Sequence, residues 1–77
     1  MPIEFRRNVA VVTGSATVEE AEGLREWLQK KKSAKVDLAA CTHLHSANLQ
    51  VLMAGKQVVT AWPERLELAV WLRAALE

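Results

Sequence analysis

The apolar positions along this chain change period several times, and each change marks an element. Ile3 to Phe5 and Val9 to Thr13 read as two short strands. Arg6-Arg7-Asn8 turns between them, and Asn8 can take the positive φ of a tight hairpin. Gly14 and Ser15 end the second strand. Thr17 to Glu20 then has the form of a capping box, with Thr17 as N-cap and Glu20 reaching back to it. Ala21, Leu24, Trp27 and Leu28 recur at helical spacing on one face, and Glu26 and Lys30 are set for an i,i+4 pair on the other. Lys30-Lys31-Lys32 closes this helix, where positive charge complements the negative end of the dipole. No aromatic residue is interleaved with the lysines, so they read as a solvated helix end rather than a phosphate or nucleic-acid patch.

Lys35 to Ala40 is apolar apart from Lys35 and Asp37, the pattern of a strand covered on both faces. Thr42 to His45 form a polar crossing. From Ser46 onward Leu49, Leu52 and Met53 fall at helical spacing, and Gly55 reads as a left-handed stop. Gln57 to Ala61 is a further strand. Pro63 suits the first turn of a last helix, Glu64 to Leu76, where its missing N–H costs nothing. Leu68, Leu72, Ala75 and Leu76 line one face of that helix, while Leu66, Val70 and Trp71 widen the apolar arc. Such an arc either packs at a corner of the sheet or offers surface to a partner. The order is β-β-α-β-α-β-α. Right-handed crossovers make this an α/β fold, a mixed sheet with its helices mainly on one face, and residues 1–77 form a single domain.

Composition narrows the function classes. Seventy-seven residues, 51% hydrophobic and 25% charged, suit one small globular domain. A core of that size is marginal, so a partner or a second copy, as in a homodimer, would add stability. Ten basic and nine acidic residues give a net charge of +1, too weak a field to argue for nucleic acid or an anionic membrane. One cysteine, Cys41, excludes an intramolecular disulfide and fits a reducing compartment. The apolar stretch after Asn8 stops at Thr13-Gly14, so no signal peptide is read, and no run approaches the roughly 20 apolar residues that span a bilayer. The expectation is a cytoplasmic protein without direct membrane insertion.

The candidate chemistry gathers between Cys41 and Trp62. Ser46 stands at a strand-to-helix junction. There its hydroxyl can cap the helix by accepting from the N–H of Asn48 or Leu49, or can present itself where the dipole would welcome a phosphate. Cys41, His43 and His45 alternate, so an extended chain would turn all three to one side as weak candidates for zinc or copper. A fourth ligand is not evident, and the preferred reading is a buried thiol with two loop histidines; no metal or cofactor is expected. Trp62 lies in a loop near the same sheet end as Ser46, where an exposed aromatic would anchor an interface. There is no Ser-His-acid arrangement, nucleotide loop or metal-protease helix, and so short a chain leaves little room for a pocket of roughly 300 Å³ or more. The chain does not read as an enzyme.

Val36 to Met53, VDLAACTHLHSANLQVLM, resembles the signature of STAS domains, the fold of bacterial anti-sigma factor antagonists. That pattern is a hydrophobic strand ending in Asp-Leu, a few residues, then Asp-Ser-Ser/Ala-Gly-Leu opening a helix. Asp37-Leu38 matches the strand end, Leu44 the hydrophobic position before the motif, and Ser46, Ala47 and Leu49 the motif itself. His45 stands in place of the acid and Asn48 in place of the glycine. The resemblance implies a non-enzymatic protein-interaction module in a bacterial regulatory pathway, in a shortened version of the fold. Its partner would be a serine kinase or an anti-sigma factor-like protein. Ser46 would be the phosphorylated serine, and His45, Ser46, Asn48 and Trp62 the contact surface. Two alternatives stand beside it: an accessory subunit of a lipid-type membrane transporter, and a small metal- or ligand-binding protein using Cys41, His43 and His45.

Overall fold

The computed structural model describes residues 3–31, 33–55 and 57–76. Its elements run β1 (Ile3–Phe5), β2 (Val9–Ala16), α1 (Val18–Lys30), β3 (Lys35–Leu44), α2 (Ser46–Ala54), β4 (Val58–Ala61) and α3 (Leu66–Leu76). The order matches the expected one, and the four strands form one mixed sheet in the order β1-β2-β3-β4. β1 pairs antiparallel with β2, while β2, β3 and β4 are parallel. Both crossovers therefore move in one direction across the sheet, which places α1 and α2 on the same face. Ile3, Ala10, Val12, Val36 and Leu38 point into that face and meet Leu24, Leu49, Leu52 and Leu72 in one hydrophobic cluster. No helix among the described residues is long and apolar enough to cross a membrane.

Several local expectations needed correction. β3 is an inner strand but is covered on one face only: Val36 and Leu38 are buried, while Asp37 and Ala39 are half-exposed on the open side. Its apolar run reflects small residues, not a second layer. β3 also continues through the polar crossing to Leu44, and β2 continues past Thr13 to Ala16. The continuation depends on two bulges. Val11 and Thr13 of β2 face Asp37 and Ala40 of β3, and Gly14 and Ser15 face Cys41 and His43, so β3 carries one extra residue at each step. The Asp37 carboxylate accepts from the Ala39 N–H at 3.0 Å and holds the first bulge. Gly14, at φ 66°, accommodates the second.

α1 begins as expected, with the Glu20 carboxylate accepting from the Thr17 N–H at 3.2 Å and from its hydroxyl at 2.9 Å. The ion pair along this helix joins Glu22 to Arg25 at 3.4 Å, between side chains that are more than half exposed. Of the lysine cluster, Lys30 ends the helix and Lys31 follows it; Lys32 lies outside the described residues. The β1–β2 turn closes with the Arg6 N–H donating to the Val9 carbonyl at 2.8 Å and uses no positive φ, Asn8 included. Gly55 ends α2 at φ −82°, not in the left-handed region. Its missing side chain serves another purpose. A Cβ there would collide with the carboxamide of Gln57, whose nitrogen donates to the Leu52 carbonyl at 2.8 Å and so closes the helix end. α3 starts at Leu66, two residues later than expected, after a buried Pro63.

Gly14 and Gly23 test how far backbone alone matters, since a Cβ at either position meets nothing within 4 Å. Gly14→Ala places a side chain at positive φ and should destabilise the fold by about 1–2 kcal/mol. Gly23→Ala, inside α1, should stabilise it by about 0.5–1 kcal/mol. Urea denaturation of the two variants should show midpoints displaced in opposite directions.

Candidate interaction site at the opening of the second helix

The carboxyl ends of β2 and β3 lie side by side, with Ala16 opposite Leu44. Each strand turns directly into a helix, so the N-terminal ends of α1 and α2 share one edge of the domain. Two long-range hydrogen bonds join the junctions. The His45 N–H donates to the Ala16 carbonyl at 3.0 Å, and the Asn48 side-chain Nδ2 donates to the Thr17 carbonyl at 2.6 Å.

α2 begins at Ser46, but Ser46 is not its cap. His45 occupies the N-cap, with extended backbone, and its Nδ1 accepts from the Ala47 N–H at 3.0 Å. An imidazole accepting at Nδ1 carries its proton on Nε2, so this cap is made by the neutral ring. Ser46 is the first helical residue and is exposed. The first turn of α2 carries no acidic residue, whereas α1 has Glu19 and Glu20 there. The positive end of the α2 dipole therefore meets no carboxylate from its own first turn.

The proposed contact residues separate. His45 and Ser46 are exposed and adjacent. Asn48 is wholly buried, one face of its carboxamide spent on Thr17 and its Oδ1 without a protein partner, so it is a tie between junctions and not a contact residue. Trp62 is also displaced. β4 is short and pairs with the start of β3, Ala61 lying opposite Asp37. That leaves Trp62 near the level of Leu38, six residues short of Leu44 and about 20 Å away along the strand. It packs against the core, half-buried, with the Arg73 guanidinium carbon 5.5 Å from its ring centroid. Met53, read at helical spacing with Leu49 and Leu52, does not share their burial and is 56% exposed. With Ser46 and Gln50 it forms an outward i, i+4, i+7 row. Gln50 and Met53 are thus the surface residues that sequence spacing missed; a helix rotated by one position exchanges Met53 for Asn48 on the core side.

The alternation of Cys41, His43 and His45 does not survive in space. The extra residue at Thr42 breaks the two-residue period, so Cys41 and Leu44 face the core while His43 and His45 face solvent. The Cys41 thiol donates to the His43 carbonyl at 3.5 Å, and burial pushes its pKa up from the ordinary value. No group of three or more His, Cys, Asp or Glu side chains among the described residues is placed to hold a metal ion. A cavity of about 340 Å³, larger than so short a chain suggests, lies at the other end of α2, among Leu28, Val51 and Ala54. Comparison with models of known families, with curated proteins and with solved structures finds no match for this chain.

Two outcomes check this geometry. His45→Ala should cost about 1 kcal/mol by removing the cap, whereas Ser46→Ala should change stability by no more than about 0.5 kcal/mol. Equal losses in urea denaturation would return the cap to Ser46. For Cys41, a thiol only 2% exposed and held protonated by burial should react slowly with a disulfide reagent at pH 8 and rapidly once urea is added. A raised folded pKa also means that this group's contribution to stability is fully present below the unfolded value. It is lost as pH rises above that value towards the folded one.

Proposed function

We propose that this chain is a non-enzymatic protein-interaction module of the STAS, anti-sigma factor antagonist type, acting in a bacterial regulatory pathway. The observation that carries the reading is Ser46 itself: an exposed hydroxyl on the first residue of a helix that two buried-end hydrogen bonds hold in place. The departures from the resembled pattern fit this role. His45, in place of the acid, still supplies an acceptor to the first turn. Asn48, in place of the glycine, turns inward and leaves the outer surface open.

The contact surface is His45, Ser46, Gln50 and Met53, a neutral patch with an exposed thioether. A phosphate on Ser46 would add nearly two negative charges. Placed at a helix N-terminus, that charge is favourable to the helix, so the fold persists while an interface shaped for a neutral hydroxyl is lost. The partner is then a serine kinase or an anti-sigma factor-like protein. The transporter-subunit alternative presents the same surface to a different protein.

Affinity capture from native lysate with wild type, Ser46→Ala and Ser46→Asp tests the switch. A partner retained by the first two and released by the third is the expected result, with Met53→Asp releasing it as well. The identity of the retained protein, kinase-like or transporter subunit, separates the two alternatives. Equal retention by all variants would move the contact surface elsewhere.

A further inference from the structure

At the opposite end of α1 and α2 from Ser46, the C-terminal parts of both helices border an open hollow of about 340 Å³ with the residues that lead into β3 and β4. Its size is within the range of small-molecule sites, and its floor is apolar, formed by buried Ala34 and half-buried Leu28 and Val51, with Ala54 exposed at the rim. The charged side chains that line it are of one sign. Arg25 and Lys31 line it, and no acidic residue among the described lining residues opposes them. Glu22 pairs with Arg25, but at 3.4 Å between side chains more than half exposed, a contact too weak to withhold the guanidinium from a ligand. Gln57 also lines the cavity and holds its buried Oε1 without a partner.

A helix end often carries lysines simply to meet its dipole. That accounts for Lys30 and Lys31 but not for Arg25, which lies more than a turn earlier and borders the same cavity. The dipole also limits the charge of the ligand. Both helices present their negative ends here, together about one negative charge, so the two cations leave a surplus of about one positive charge, which suits a single negative charge on a hydrocarbon body better than a dianion such as a phosphate monoester. We propose that this cavity binds a small amphipathic monocarboxylate, its apolar part against Leu28, Val51 and Ala54 and its carboxylate at Arg25 and Lys31. The site is separate from the Ser46 surface and does not depend on its function.

Octanoate is a suitable probe, titrated into the full chain by calorimetry and followed by amide chemical shifts. Saturable binding is expected, with shifts gathered at the C-terminal turns of α1 and α2. The double variant Arg25→Gln/Lys31→Gln should bind about tenfold more weakly. Ala54→Phe, at an exposed position that tolerates bulk, should fill the hollow and abolish binding while urea denaturation shows the fold intact. Octylamine, of equal length and opposite charge, should not bind. Absence of saturable octanoate binding to wild type would overturn the proposal. So would equal binding of octylamine, unchanged binding by either variant, or displacement of octanoate by inorganic phosphate.

Discussion

A buried carboxamide holds together the end of the domain where α1 and α2 begin. Asn48 is the only buried polar side chain in the hydrophobic interior of the described residues. An amide transferred from water without a partner costs several kcal/mol, so its 2.6 Å bond to the Thr17 carbonyl strongly disfavours any arrangement that separates the two junctions. Together with the bond from His45 to Ala16, it fixes where α2 starts relative to α1. The exposed row Ser46, Gln50 and Met53 follows from that, because α2 has only one rotation that buries Asn48, Leu49 and Leu52 at once.

The bulges of β3 act on the same region. Two extra residues against β2 convert the inward period from two to three, so that Leu38, Cys41 and Leu44 all reach the core. Without them the strand would turn His43 or Thr42 inward, at the cost of burying a polar group, or would end before reaching the α1 junction. Asp37 and Gly14 are the local devices that make the shifts possible, the first by accepting a backbone N–H and the second by adopting positive φ. Residues that look like motif punctuation in the chain are therefore what extends the parallel pair to its full length.

α2 connects two dissimilar surfaces. Its opening turn presents a neutral, partly apolar row, and its closing turn forms one wall of a hollow bordered by Arg25 and Lys31. α3 adds a third surface, since Leu66, Val70 and Trp71 remain exposed at 76%, 59% and 49% while Leu72 alone on that helix is fully buried. A chain with a net charge of +1 has no long-range field to speak of, so these surfaces differ in their local chemistry alone.

The element order, the start of α2 at Ser46, the capping box of α1 and the excess apolar arc of α3 were legible in the sequence, because each is written in local periodicity or in a four-residue pattern. What only the tertiary structure decided is which polar groups go inside. Asn48 meets Thr17 across 31 residues of chain, and nothing near Asn48 announces that partner. β3 runs four residues past Ala40, where its polarity suggests an end, and the helix follows so closely that His45 rather than Ser46 is its cap. Trp62 stands apart from Ser46 because β4 pairs with the beginning of β3 and not its end. The cavity at the far end of α2 exists because two helix termini distant in sequence converge there. Register and convergence are relations between elements, and strict alternation, read along a single strand, carries no information about either.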